Sequence, residues 1–518
     1  MSKVEIYDTT LRDGSQMRGI CFSLDDKIKI IEALVSMGVD FIEAGWPGTN
    51  NTDTELFRTL SGMDTGYSVV CAFGMTCRKG KKPSQDRNLG NLCSAEAKVV
   101  TLVGKSWDKQ VEIVLNATLS ENLRMIKESC CFLTQAGKDV FFDAEHFFDG
   151  YKDNPDYALA TLKAAARGGA KRIILCDTNG GTIPERIKEV VEAVKRENIA
   201  LLGIHAHNDA ELAVANTLAA VSAGAIHVQG TINGYGERSG NANLCSIIPT
   251  LQLKMGIDCL NGSDLTGLVH ISHLIAEIAN MAPDPCQPYV GANAFAHKAG
   301  MHGHAMQKDN RSYEHINPIL VGNKSEIIIS VLAGRGNVLA KARDFGITLA
   351  EAQIAEVLKQ IKELESRGAI FEGADGSLEL IMRSVRDGKQ YPFEVCSFDV
   401  TISNATKQLT SEAIVRVLIN GQMVRRVADG NGPINALDIS LRKALSDFYP
   451  ILEKVRLSDY KVRISNRKTG TDARVRVLIE FSDDKESWTT SGSSTDIVEA
   501  SLDALVQGLE LAIIRASN

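Results

Sequence analysis

Several absences narrow what this chain can be. None of its 518 residues falls in a window of eighteen consecutive apolar ones, so no segment is expected to cross a membrane as a helix. Excess positive charge is also missing. Lys and Arg number 57 against 64 Asp and Glu, a net charge of −7, which excludes a basic footprint for nucleic acid or an acidic membrane surface. The 11 cysteines contain no C-x-x-C. Their scatter and odd number read as reduced core thiols of a cytoplasmic protein. The opening MSKVEIYDTT has neither a basic n-region nor an apolar h-region and is expected to be structured sequence. With 44% hydrophobic and 23% charged residues the chain is ordinarily globular, and its length predicts two or three domains.

Punctuation organises the first half. Short β-rich runs at 4–8, 39–45, 67–73, 97–103, 138–145, 170–177, 200–207 and 225–232 alternate with helical stretches such as 24–38, 121–137 and 183–198. Gly38, Gly137, Gly169 and Gly224 stand just before a strand, where a helix end favours glycine. Eight such alternations with near-continuous apolar strands predict an α/β fold, a (β/α)8 barrel over residues 1–280. Asp13, Glu43, Glu145, Thr178, His205, His207 and Asn241 then all fall at or just after strand ends. In such a barrel these ends share the face that carries the active site.

His205 and His207, in IHAHND, are the most informative pair. Residues i and i+2 of a strand point to one side, so the two imidazoles can converge on a metal ion. The bland alternative is a pair of core histidines. Asp13, in YDTTLRDGSQ, adds a carboxylate at the same face, and Arg12 and Gln16 stand beside it. Asp13 alone would read as a helix N-cap. Arg12 could merely neutralise Asp13 or could stabilise an oxyanion. In GYGERSGNANL (234–244) the glycines suggest backbone close to a ligand, with Asn241 aimed at the metal region.

Beyond the barrel, the proline-rich stretch 280–291 reads as a linker. Histidines 297, 302 and 304 follow, and the segment is expected to fold over the mouth as a lid, with His302 as an acid–base group and Tyr313 on the same lid. A second metal site is the alternative. The basic loop 77–87 reads as solvated, with contact to a phosphate-bearing cofactor as its alternative. Residues 281–393 form linker and lid subdomains on this reading. In 394–518, EAIVRVLI (412–419) recurs as DARVRVLI (472–479), and a helix follows each at the same offset of 60 residues, aligning Leu437 with Ile497 and Leu445 with Leu505. A duplicated α+β module without catalytic residue types suggests ligand sensing or dimerisation.

DTTLRDGSQ, HAHND and NGYGERSGNANL, in that order and followed by the duplicated tail, resemble the signatures of the α-isopropylmalate, homocitrate and citramalate synthase family of metal-dependent condensing barrels. The resemblance covers nearly the whole chain, and HAHNDAELAVANTLAAV (205–221) is most similar to its citramalate synthase branch. Two departures stand out: Glu211 occupies a position that is glycine in many members, and His146 replaces an acidic residue after Glu145.

The resemblance implies a divalent metal (Mn2+, Mg2+ or Zn2+) held by Asp13, His205 and His207, with Asn241 as ligand or neighbour. It also implies Claisen-type condensation of acetyl-CoA with a 2-oxo acid, followed by thioester hydrolysis. Arg12 and Thr178 would hold the carboxylate and the developing alkoxide, and Gln16 and Glu43 would complete the substrate site. Glu145, His302 and Tyr313 would supply acid–base groups. Strands ending VVCAFGM and VTLV look apolar and favour pyruvate, giving citramalate for isoleucine biosynthesis. 2-Oxoisovalerate, giving isopropylmalate, is the alternative. A homodimer with isoleucine feedback through the tail is expected. An acyl-CoA lyase or carboxyltransferase is the rival reaction class, disfavoured by the duplicated tail and by the absence of an AMKM biotinylation motif. A non-catalytic sensor would be expected to have lost Asp13, His205 or His207.

Overall fold

A computed structural model describes residues 3–517 except 263, 299–308, 329–333, 367, 370, 389–390, 405–408, 465–472 and 484–485. Eight parallel strands close in sequence order: β1 (Glu5–Asp8), β2 (Phe41–Gly45), β3 (Val69–Met75), β4 (Val99–Lys105), β5 (Asp139–Glu145), β6 (Arg172–Asp177), β7 (Leu201–Ala206) and β8 (His227–Gly230). Closure comes from β1 lying beside β8, with Tyr7 opposite Gln229. All eight expected strands are present. Their continuous apolar runs suit strands covered on both faces, by helices outside and by side chains within.

Tyr7, Phe41, Cys71, Val99, Phe141, Ile174 and Cys176 fill the barrel interior. Around it, helices begin and end where local chemistry dictates. Leu24–Met37 starts at Ser23, whose hydroxyl accepts from the Asp26 N–H while the Asp26 carboxylate accepts from the Ser23 N–H, a reciprocal cap. It stops at Gly38, whose φ of 77° is left-handed backbone that glycine adopts without a Cβ clash. Ile30, Ile31 and Leu34 form its buried stripe.

The first compact unit runs through Phe295 and adds Ile316–Lys324. The proline-rich stretch expected to lead away from the barrel therefore belongs to it, because Tyr289, Val290 and Phe295 are buried in its main core. The second unit comprises Ala296–His315 and the chain from Ser325 onward. In it, helices Arg335–Asp344, Glu351–Ser366 and Asp375–Asp387 share a small core around Val338, Val357 and Met382.

Two three-stranded antiparallel sheets follow, Glu394–Ser403/Thr410–Ile419/Gln422–Gly430 and Arg456–Ile464/Val475–Ser482/Ser487–Ser494. Helices Pro433–Leu445 and Ile497–Ser517 succeed them in turn. The repeat is thus two βββα units whose central strands are the recurring sequences, with Val417, Val477, Ile419 and Ile479 all fully buried. Leu445 and Leu505 are equally buried, but Leu437 is 0% exposed and Ile497 45%. The equivalence fails there because Ile497 opens its helix whereas Leu437 lies a turn inside.

Among the described residues no helix is long and apolar enough to cross a membrane. All 11 cysteines are free, and Cys21, Cys286 and Cys396 are exposed rather than in the core.

Candidate active site

A tight turn after β1 presents the first ligand-type side chain. The Thr9 carbonyl accepts from the backbone N–H groups of Arg12, Asp13 and Gly14 at 3.2, 2.9 and 3.0 Å. Asp13 occupies the N-cap position of the 3-10 turn Gly14–Gln16, yet its side chain makes no capping bond. Its Oδ2 instead lies 3.4 Å from His205 Nε2 and 4.0 Å from His207 Nε2. The three side chains are buried and offer ligand atoms within 4.8 Å of one another.

Protonation suits a cation. Burial pulls His205 down to about 3, against the pull of Asp13 and with the help of His207 and Arg12. Burial lowers His207 as well. Burial alone would raise Asp13, but the Arg12 guanidinium beside it outweighs this and keeps the carboxyl below its usual range. One carboxylate therefore faces two neutral imidazoles whose lone pairs are available.

The tautomer of His205 follows from a chain of contacts. Gln229 Nε2 donates to Asp143 Oδ1 at 3.0 Å. Its Oε1 therefore faces His205 Nδ1, 2.9 Å away, and can only accept. The Nδ1–H is spoken for, and Nε2 is left to the site. Asp143 is raised to about 8 by burial and by the charge of Glu43. Neither Gln229 nor Asp143 was singled out by sequence. A polar residue inside the apolar runs VFFDAE and IHVQGTI was the available signal.

His207 lies one residue beyond β7, where its backbone bridges to Asn241. The Asn241 amide nitrogen donates to the Tyr235 carbonyl at 3.1 Å, while its Oδ1 is buried with no partner among the described residues. The loop glycines make this approach possible. A Cβ on Gly236 would stand 2.1 Å from Asn241 Nδ2, and one on Gly240 2.1 Å from the Gly234 carbonyl. A carboxylate, two imidazoles and an orphaned amide oxygen are a donor set that fits a divalent metal ion.

Arg12 is clamped. Its Nε donates to Glu43 Oε2 at 2.6 Å, and its guanidinium lies 3.7 Å over the Phe73 ring. Glu43 also accepts from Thr9 Oγ1 at 2.5 Å and from the Tyr7 hydroxyl at 2.6 Å. With that hydroxyl proton committed, Thr101 must donate to the Tyr7 oxygen across 2.7 Å. Glu43 is fully buried, and its carboxylate is held by Arg12, Thr9 and Tyr7.

Farther round the rim, Glu145 at the end of β5 pairs with Lys105 at the end of β4, 2.6 Å apart. The strand-4 end is therefore not purely apolar as the sequence suggested. Lys105 lies just past the VTLV run, and its cation is held by Glu145. Thr178 Oγ1 accepts from the His146 N–H at 2.8 Å, and its own proton has no acceptor among the described residues. Arg238 grips both oxygens of Asp209 at 2.8 and 2.9 Å and the Thr178 carbonyl at 2.7 Å, tying the loops after β6, β7 and β8. Glu211 has a φ of 60°, which explains glycine as the alternative at that position.

Gln16 is exposed beside Asp13. Tyr313 lies in the second unit, with its ring 6.4 Å from that of His297. His302 lies outside the described residues, as does His304.

Comparison with known proteins extends over the whole chain. The HMGL-like family model matches residues 3–275. The homocitrate synthase post-HMGL domain-like model matches 289–369, and the LeuA allosteric (dimerisation) domain matches 372–513. The chain is similar to the (R)-citramalate synthase of Aquifex aeolicus, 50% identical over 508 residues that cover 97% of this chain and 96% of that one. It is 47% identical to the (R)-citramalate synthase of Geobacter sulfurreducens over 522 residues, covering 100% and 99%. The corresponding protein of Synechocystis is 47% identical over 523 residues, covering 98% and 96%.

Proposed function

The chain belongs to the HMGL-like family and, within it, to the (R)-citramalate synthases, and on that premise we propose that it joins acetyl-CoA to pyruvate at the barrel mouth and releases citramalate and CoA. The observation that carries the reading is the 50% identity across 97% of the chain. The buried Asp13–His205–His207 cluster supports it.

Asp13, His205, His207 and Asn241 would hold a divalent metal, which when bound supplies Lewis acidity to the keto oxygen of the 2-oxo acid. Arg12, aimed by Glu43 and Phe73, donates to the oxygen on which negative charge develops. The hydroxyl proton of Thr178 meets the pyruvate carboxylate, and Gln16 borders the same space. Glu145 takes a proton from the acetyl methyl group, with Lys105 holding its carboxylate in place. The methyl carbon then bonds to the keto carbon, and the alkoxide formed is protonated. Water cleaves the thioester, and CoA leaves as the thiol. Tyr313 and His302 are assigned acid–base work from sequence.

The LeuA-type domain at 372–513 supports a homodimer whose tail responds to isoleucine, the end product of the pathway we assign. Purified protein with Mn2+ or Mg2+ is tested against pyruvate, 2-oxobutyrate, 2-oxoisovalerate and 2-oxoglutarate by CoA release. Pyruvate should give the fastest turnover. Faster turnover with 2-oxoisovalerate overturns the substrate, and no oxo-acid-dependent release overturns the reaction. Isoleucine should inhibit the intact chain and not one ending at residue 393.

A further inference from the structure

Gln507, Glu510 and Ile514 recur along one face of the last helix, Ile497–Ser517. With Phe371, Leu380 and Ile381 from the three-helix layer of the same unit, they line a cavity of about 630 Å3. That size suits a small molecule. One edge is sewn shut by hydrogen bonds. Ser377 Oγ donates to Gln507 Oε1 at 2.5 Å and accepts from the Ser491 N–H at 2.9 Å, and Gln507 Nε2 donates to the Ser491 carbonyl at 2.9 Å.

Glu510, one turn on, receives nothing comparable. It is 9% exposed, and it makes no hydrogen bond or ion pair with any described residue. Its carboxyl is raised to about 7 by burial alone, with no neighbouring charge to offset it. The other carboxylates of this region are engaged, Glu379 with Arg383 and Arg515 and Asp387 with Arg386. Glu510 is thus a mostly buried acid with no donor among the described residues, lining a cavity that mixes hydrocarbon with polar groups. A cation entering there would find an unclaimed carboxylate.

We propose that this cavity is a ligand site for a small organic cation, whose primary ammonium group pairs with the Glu510 carboxylate and whose short aliphatic body lies against Phe371, Leu380 and Ile514. The chemistry follows from the lining, where Arg383 and Asp387 are already paired with Glu379 and Arg386 while Glu510 has no cation among the described residues, and Phe371, Leu380 and Ile514 supply hydrocarbon beside it. The inference is independent of the isoleucine proposal, since it requires no carboxylate on the ligand and is read by binding rather than by inhibition.

The test is calorimetric titration of the full-length protein at pH 8 with 2-methylbutylammonium chloride and, separately, with sodium 2-methylbutanoate, its anionic counterpart. The amine should bind at least about tenfold more tightly than the acid, as expected for a charge-assisted hydrogen bond. Glu510→Gln should weaken amine binding by about tenfold or more with the melting temperature and oligomeric state unchanged. Leu380→Trp fills the cavity and keeps the carboxylate, and it should also abolish amine binding. No amine binding by the unaltered protein, equal binding of the acid, or unchanged binding by Glu510→Gln overturns the proposal. So does dissociation of the oligomer in Glu510→Gln, which would mean that a second copy of the chain supplies the donor.

Discussion

His205 Nδ1 lies 2.9 Å from Gln229 Oε1, and this contact selects which imidazole nitrogen faces Asp13. The bond also fixes the ring plane, since the amide is itself anchored on Asp143. Gln229→Leu should keep the fold and lower Mn2+ affinity by roughly 10- to 100-fold. Calorimetry on the metal-stripped protein measures it, and unchanged affinity would show that the ring is oriented by other contacts.

Arg12 depends on shape as well as charge. Arg12→Lys keeps the positive charge but loses the planar group that bonds Glu43 through Nε and stacks on Phe73. The expected loss in kcat is about 100- to 1000-fold, comparable to removal of a preorganised oxyanion donor. Steady-state kinetics with pyruvate would read it, and a loss confined to KM would contradict the role given to Arg12.

Glu145 and Lys105 separate chemistry from positioning. Glu145→Gln should reduce kcat by about 100- to 10,000-fold with little change in the pyruvate KM. Lys105→Met leaves the carboxylate in place without its partner and should cost less. Equal losses in the two variants would shift the chemical role toward the lysine.

At the opposite end of the barrel, Glu5 bonds the Arg172 guanidinium through Nε at 2.6 Å and lies 3.3 Å from His227 Nδ1. Burial would raise Glu5, but these partners hold it at about 2 against a usual value of 4.5. Because the folded value is the lower one, the stabilisation is complete above about pH 4.5 and is lost as the pH falls toward 2. Glu5→Gln should therefore destabilise the barrel at pH 7 by about 2 kcal/mol after solvent screening, and the gap to wild type should narrow in acid. Urea melts at pH 7 and pH 3 would measure it, and a gap independent of pH would assign the loss to packing.

The loop after β8 has no spare room. Gly236→Ala would put a methyl group 2.1 Å from Asn241 Nδ2, so it should displace that amide and weaken Mn2+ binding while the melting temperature changes little. Calorimetry and thermal melts on one preparation distinguish this from general unfolding.

Legibility tracked the range of the interactions. The strand–helix alternation, the glycine stops and the H-x-H pair were readable because strand period and helix capping act over a few residues. Asp13 was readable as a candidate only through that barrel expectation, since its local setting equally suggested a cap. Lys105 was missed because strand 4 ran two residues farther than its apolar core implied. The proline-rich stretch misled because proline signals a break in local structure without saying which core receives the chain.

By itself, the sequence determined which residues could form the barrel, and it placed His205, His207 and Asp13 at its mouth, since both follow from local periodicity repeated eight times. The tertiary structure alone decided the partners. Closure sets β8 beside β1 and β7, and that register puts Gln229 against His205 and Asp143. Residues 24 and 86 positions apart in those pairs meet only because a closed sheet leaves no freedom in which inward-facing side chains are neighbours.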